Sequence, residues 1–231
     1  LIELKNKKRF YDWKNYKINA QDTGRILEPL IFKKIHAYFD KKYPTSKNQF
    51  YLKIGMPWIN NFYLQPDHEH DKFNTGFWGV SIDLDYFYSD TRFLMYNLSF
   101  ASDFFLPVPA AVDIYGEYEF MTTLYSSFTV NYKFKRVNLG YGLNISRNSW
   151  QISYNPGQDI PPPSREPVTK TSMSLGITMN GYYQIGKHFF IGMIYRPTFL
   201  RLDPKIELKY EHLISMDFGW KIKIWEYYNS C

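Results

Sequence analysis

The chain has 231 residues, of which 20% are aromatic, with 21 Tyr and 19 Phe, and its mean hydropathy is slightly polar at -0.42. The net charge is +6, and no uncharged run is both long and apolar enough for a spanning helix, which needs about 18 such residues. The single cysteine, Cys231, excludes an internal disulfide and leaves Cys-based zinc or thiol redox chemistry without a second ligand.

The basic excess lies at the start. Residues 1–49 carry a net charge of +7 and the remainder a net of -1. Leu1 to Lys8 lack the apolar core of a signal peptide, so an exported form is expected to be a processed chain. Leu27, Leu30, Ile31, Ile35, Tyr38 and Phe39 recur at helical spacing, with Lys33, Lys34, Lys41 and Lys42 largely on other faces. Asp22 or Thr23 supplies a cap, Pro29 is tolerated only in the first turn, and Pro44 ends the pattern, so the spacing predicts one amphipathic helix over about 26–42. Such a face suits either an anionic membrane surface or a protein partner, the barrel described below included, and amphipathic spacing alone does not choose between them.

From residue 50 the apolar period changes to two, which only a β-strand has. The first predicted strand, Tyr51 to Trp58, sets Leu52, Ile54, Met56 and Trp58 against Lys53 and Gly55. The second, Phe77 to Tyr88, alternates Trp78, Val80, Ile82 and Leu84 with Gly79, Ser81, Asp83 and Asp85, and the third, Arg92 to Phe104, alternates Leu94, Tyr96, Leu98 and Phe100 with Asn97, Ser99, Ala101 and Asp103. The fourth, Glu117 to Phe134, turns at Lys135 and Arg136 into a fifth that sets Val137, Leu139, Tyr141, Leu143 and Ile145 against Asn138, Gly140, Gly142 and Asn144. The sixth carries Met173, Leu175, Ile177 and Met179 on one face, and the seventh carries Phe189, Ile191, Met193, Tyr195 and Phe199, with a defect at Pro197 that predicts a bulge or an edge. The eighth, Tyr210 to Trp225, alternates without a break, and its sixteen residues exceed the roughly 9 to 11 needed to cross a bilayer obliquely.

Connections after the second, fourth and sixth strands are two or three residues long, whereas those after the first, third, fifth and seventh are estimated at about 17, 11, 24 and 7. Short turns on one side, long loops on the other and outward aromatics near strand ends are the signature of an outer-membrane barrel. The fold class predicted is therefore all-β: an eight-stranded antiparallel up-and-down transmembrane β-barrel over 50–226, a basic arm over 1–49 and a tail over 227–231. Stretches such as Asn138-Leu-Gly-Tyr-Gly-Leu-Asn144, Gly186-Lys-His-Phe-Phe-Ile-Gly192 and Gly219-Trp-Lys-Ile-Lys-Ile-Trp225 resemble the Tyr- and Lys-rich barrels of Bacteroidetes-type outer membranes, and the architecture is similar to the small OmpA and OmpX barrels. The resemblance covers about residues 50–226 and implies an outer-membrane location, with termini and short turns periplasmic and long loops extracellular. It implies no catalytic motif, and the arm is not part of the minimal barrel.

An eight-stranded barrel is just wide enough for its own side chains to fill. The parity of the strands points Lys53, Asp83, Asp85, Asp103, Glu117, Glu119, Lys133, Arg196, Glu211, Asp217, Lys221 and Lys223 inward, where buried charges of both signs should pair. Placing Leu202 near Glu211 sets Arg196 opposite Asp217, an ion pair that tests the register. Asp103, Glu117, Glu119 and Glu211 gather towards the loop end and Lys133, Lys221 and Lys223 towards the turn end, a pattern that could steer cations at the mouth but is read mainly as structural ion pairing.

Chemistry has few candidates. Asp67-His68-Glu69-His70-Asp71 sets two imidazoles on one side of an extended segment without a third ligand, and a solvated loop is the better reading than a metal site. His212 is the one histidine placed on the lipid face, and no serine is placed beside it for acyl transfer. A parity break at Arg147 and Asn148 leads Trp150, Ile152 and Tyr154 beyond the membrane zone, next to the proline-rich stretch of Pro161, Pro162, Pro163 and Pro167, and suggests an extracellular binding surface. Nucleic-acid binding is disfavoured, because the basic residues form a detached arm. The reading is a non-enzymatic outer-membrane barrel without cofactor or metal, a scaffold or accessory subunit in contact with outer-membrane lipids and other envelope proteins. The alternative is a narrow channel or a lipid-modifying enzyme.

Overall fold

The computed structural model describes residue 39 and residues 41–104, 116–155 and 167–226, the side chains of residues 116–117, 154–155 and 225–226 excepted. Contacts divide the chain into two compact units, Leu1–Lys42 and Tyr43–Cys231. Of the predicted arm helix, Leu27, Leu30, Ile31, Ile35 and Tyr38 lie outside the described residues, and Phe39, Lys41 and Lys42 are helical. Among the described residues no helix is long and apolar enough to cross a membrane.

The second unit is a closed antiparallel sheet. Its strands are β1 (Gln49–Leu64), β2 (Lys72–Gly76), β3 (Trp78–Phe87), β4 (Arg92–Ser102), β5 (Gly116–Phe134), β6 (Val137–Asn155), β7 (Val168–Gln184), β8 (Phe189–Asp203) and β9 (Glu207–Glu226). β1 pairs with both β2 and β3, β3 to β9 pair in succession, and β9 pairs with β1 to close the ring. β2 and β3 are one strand interrupted at Phe77. Asn60 pairs with Gly76 and Gly55 with Ser81, so both segments hold the same register along β1. Nine segments therefore make an eight-stranded barrel. At the closing seam Gly55 pairs with Gly219. A Cβ on Gly55 would come within 2.7 Å of both Asp217 carboxylate oxygens, and one on Gly219 within 2.7 Å of the Gly55 Cα, so the seam closes only around two residues without side chains.

The alternation places large apolar side chains outside. Ile54, Val80, Ile82, Leu98, Phe128, Leu143, Met179, Ile191, Met193 and Ile222 are all exposed, an outward apolar band of the kind that faces lipid in barrels. The inward face holds Ser, Thr, Asn, Gly and the charges. At the turn end the hairpins are tight, and the two-residue turn after β5 is made by Lys135 in a left-handed conformation (φ 59°). At the loop end the strands run further than the apolar band requires. β1 reaches Leu64 and β2 begins at Lys72, and only residues 204–206 join β8 to β9, so the loops after β1 and β8 are shorter than predicted.

The inside is filled in layers. Phe87, Phe93, Met95, Tyr182, Phe190 and Ile194, with Tyr51, form one apolar cluster towards the turn end. Phe62, Leu64, Ala101, Met121, Tyr125, Trp150 and Leu213 form another towards the loop end. Between and beside them lie the buried polar groups. Side chains thus occupy the lumen, as the size of an eight-stranded barrel dictates.

The register across β8 and β9 differs from the prediction. Arg196 pairs with Leu213, and Asp217 pairs with Gly192. Both side chains are buried, but Arg196 hydrogen-bonds Asn97 (3.0 Å) and lies over the Tyr125 ring (5.1 Å), while Asp217 accepts from Ser81 (3.3 Å). The expected ion pair does not form. The cause is the three-residue connection, which slides the two strands by four residues relative to the predicted seven-residue loop. The slide is even, so Arg196 and Asp217 both stay on the inner face while their partners change.

Candidate functional site at the loop end

Parity explains which residues reach the inner face near the loops. β6 pairs with β5 and β7 in one unbroken register from Val137 to Ile152, so the even positions that point Asn144, Ser146 and Asn148 inward also carry Trp150 and Ile152 inward. Trp150 is 1% exposed and belongs to the loop-end apolar cluster, and Ile152 packs against it. The expected binding surface of Trp150 and Ile152 is therefore an internal plug, and the Tyr154 side chain lies outside the described set. No parity break occurs at Arg147. What changes there is which face is apolar: outside stand Arg147, Ser149, Gln151 and Ser153, inside stand Trp150 and Ile152. That exchange is what a sheet shows where it leaves lipid and encloses a water-excluding core of its own.

β8 reaches the same level through an irregularity. The register shifts between Thr198 and Leu200 against β9, next to the defect expected at Pro197, and this exchanges the faces, so Arg201 turns inward beside Thr198 and Arg196 instead of pointing outward. Arg201, 1% exposed, is the centre of a network. Its guanidinium donates to Glu211 (2.8 Å), Asp67 (2.5 Å), Glu207 (3.2 Å) and the carbonyl of Gln65 (2.5 Å). Glu211 in turn accepts from the Gln65 N–H (3.0 Å), Asn148 (2.6 Å), and Ser172 and Ser174 (3.4 Å each). One carboxylate thus ties the residue that follows β1 to β6, β7, β8 and β9. Asp67 also takes Lys209 (3.2 Å). Partial burial pushes the Asp67 carboxyl up, but the Lys209 hydrogen bond and the Arg201 and Lys209 charges outweigh it and hold it below its ordinary value.

Beside this network opens a pocket of about 250 Å³ lined by Leu64, Pro66, Asp67, Asn148, Trp150, Thr169, Lys170, Thr171, Ser172, Arg201, Pro204 and Glu211. The sequence places Glu211 in the interior but not Arg201, Asp67, Asn148 or Lys170, although strand parity carried on to the loop end turns Asn148 and Lys170 inward. The signal for Arg201 is Pro197: a bulge there reverses the facing of every later residue of the strand.

The other interior charges fall as follows. Lys53 sits 3.3 Å from both Asp83 and Asp85 and 4.3 Å from the Tyr182 ring centroid. Lys221 lies 3.4 Å from Asp85 and 4.3 Å from the Tyr51 ring centroid. Asp83 also accepts from Asn97, Asp103 from Asn74 (2.8 Å), and Lys133 donates to Thr45 (3.0 Å). Two expectations need correction. Glu119 and Lys223 keep inward parity but stand at the two ends of the barrel, where the wall no longer covers them: the Glu119 side chain is 41% exposed and held by Lys72 (2.7 Å) and the Trp150 indole N–H (3.0 Å), and Lys223 is exposed. The Glu117 side chain lies outside the described set.

Two further sequence features are placed. His68, Glu69 and His70 are exposed, and no group of side chains fit to hold a metal ion occurs among the described residues. His212 pairs with Pro197 and is surrounded by the rings of Tyr63 (5.3 Å), Tyr210 (5.4 Å) and Tyr195 (5.9 Å) on the outer face. That is the environment of an aromatic girdle, not of a nucleophile and its base.

The closed eight-stranded sheet, the outward apolar band and the filled lumen define the architecture of a small outer-membrane β-barrel. Comparison with known structures agrees. The crystal structure of Ail, the attachment invasion locus protein of Yersinia pestis, is 11% identical over 76% of this chain and 99% of that chain, with a TM-score of 0.50. Neisserial surface protein A is 12% identical over 76% of this chain and 97% of that chain, with a TM-score of 0.44. The N-terminal β-barrel domain of Pseudomonas aeruginosa OprF is 10% identical over 77% and 100%, with a TM-score of 0.39. At such identities the likeness to Ail is one of fold. No protein-family model matches the chain, and no curated protein does.

Proposed function

We propose that this chain is a non-enzymatic outer-membrane β-barrel that serves as a scaffold or accessory subunit of a larger envelope assembly. The loops after β1, β4, β6 and β8 face the exterior, the tight turns and both termini face the periplasm, and the basic arm of residues 1–49 docks onto a partner or the membrane surface. Lipids contact the outward apolar band. The observation that carries this reading is the lumen, closed by two apolar clusters with Lys53, Asp83, Asp85 and Lys221 locked beside one of them. A barrel so filled offers solutes no aqueous path, and its usable surface is at its ends.

Two measurements test it. Reconstituted into planar bilayers, the full chain is expected to give no stepwise conductance, and reproducible channel events would refute the scaffold reading in favour of a narrow channel. Orientation is read with Cys231→Ser as background: Lys205→Cys at the β8–β9 connection should react with a membrane-impermeant maleimide on whole cells, and Lys187→Cys in the turn before β8 should not. The reverse pattern would overturn the orientation. For the arm, deletion of residues 1–49 should remove species that co-purify from native membranes, and an unchanged set would sink the docking role.

A further inference from the structure

The loop-end pocket contains groups that the Arg201 network leaves unused. Asp67 and Glu211 are taken up by Arg201 and Lys209. Lys170 lines the same pocket and has neither ion pair nor hydrogen bond among the described residues. Asn148, 2% exposed, donates its Nδ2 to Glu211 and leaves its Oδ1 without a partner among them, and the buried Nε of Arg201 has none there either. A buried acceptor and a buried donor on two pocket-lining residues, with a cation beside them, call for a ligand that both donates and accepts hydrogen bonds and bears negative charge. Leu64, Pro66, Trp150 and Pro204 supply the apolar part of the lining. At about 250 Å³ the space is smaller than the roughly 300–1,000 Å³ of pockets for drug-sized ligands, which restricts the occupant to one small ring.

We propose that this pocket binds a single acidic sugar unit, a pyranose bearing a carboxylate. Lys170 takes the carboxylate, Asn148 Oδ1 accepts a ring hydroxyl, and Arg201 Nε donates to a ring or hydroxyl oxygen. Charge-assisted pairing to Lys170 sets the preference for an acidic over a neutral sugar, and the hydrogen bonds set the preference for a sugar over a simple anion. The inference needs the barrel fold but not the scaffold role or the orientation across the membrane.

The test uses the full chain refolded in detergent micelles, titrated calorimetrically with D-glucuronic acid, D-glucose and acetate. Glucuronic acid is expected to bind saturably, about tenfold or more tighter than glucose, and acetate not to compete. Lys170→Gln should reduce the glucuronic acid affinity to that of glucose, while Lys205→Gln, which removes the same charge outside the pocket, should change nothing. Asn148→Ala should weaken both sugars, with circular dichroism confirming the folded barrel. Absence of saturable glucuronic acid binding by a folded barrel, an undiminished preference in Lys170→Gln, or competition by acetate at equal strength would each overturn the proposal. None of those results would alter the conductance or labelling outcomes above.

Discussion

Replacing Arg201 with methionine keeps most of its volume and removes the counter-charge of Glu211, the carboxylate on which four strands and the residue after β1 converge. The two partly exposed partners, Asp67 and Glu207 at 29% and 34% side-chain exposure, lose contacts worth no more than about 1 kcal/mol each. Glu211 is different, because it is 2% exposed and its carboxylate stays buried without its counter-charge. Breaking such a pair from one side costs about 3–5 kcal/mol, and the donors that remain on Glu211, from the Gln65 N–H, Asn148, Ser172 and Ser174, place the expected loss at the low end, about 3 kcal/mol. That is a change of more than about a hundredfold in the folding equilibrium. Glu211→Gln alone should cost about 1–2 kcal/mol, since Arg201 keeps Asp67, Glu207 and the Gln65 carbonyl. The double variant should cost clearly less than the two singles together, because no buried charge is then left unpaired. Reversible urea unfolding in lipid vesicles, followed by tryptophan fluorescence, measures all three. A coupling energy below about 0.5 kcal/mol would refute the claim that these two side chains act as one unit.

Four other outcomes follow from the same structure. Trp150→Ala should destabilise the barrel by about 3–5 kcal/mol in the same unfolding assay, as a buried core residue does and a surface aromatic does not. Leu143→Arg, at an outward position 70% exposed to the barrel's surroundings, should cost about 2–4 kcal/mol in vesicles if that position lies at the bilayer midplane, and an unchanged stability there would contradict the lipid-facing band. The Asp67 carboxyl is held below its ordinary value, so its contribution is complete above the ordinary carboxylate range, near pH 4, and is lost as pH falls through the lowered value. Hydrogen exchange of residues 65–71 should accordingly accelerate below about pH 4, and Asp67→Asn should remove that dependence while raising exchange at neutral pH. Gly55→Leu should prevent closure, seen as loss of the heat-modifiable folded band on electrophoresis, because its side chain would occupy the space of the Asp217 carboxylate.

Much of this is legible in the residues alone. Alternation within each strand states which side chains of the membrane zone face outward and which face the lumen, because a strand has no other periodicity. Short connections such as Lys135-Arg136 state which strands are neighbours. An even slide of register cannot change a face, so the interior positions of Asp83, Asp217 and Lys53 survive an error in pairing. The partners do not survive it. Arg196 meets Asn97 and Tyr125 across the lumen, and such contacts depend on how far the whole sheet is sheared when β9 meets β1, a quantity no local pattern contains.

The loop-end site shows the same division more sharply. Trp150 reads as exposed in the sequence because apolar residues lie outside up to Ile145, and the sequence does not mark the height at which a barrel wall leaves lipid and begins to enclose a core. Arg201 reads as outward because the bulge near Pro197 moves its facing by one position. By itself the sequence determined an antiparallel barrel with an apolar outside and a polar, charged inside, since those follow from period two and from the cost of exposing charge to lipid. Only the closed tertiary structure decided which charges pair and that Arg201 and Glu211 gather four strands and the residue after β1 beside a pocket, because those contacts join residues up to 146 positions apart in the chain, brought together by shear, bulges and closure.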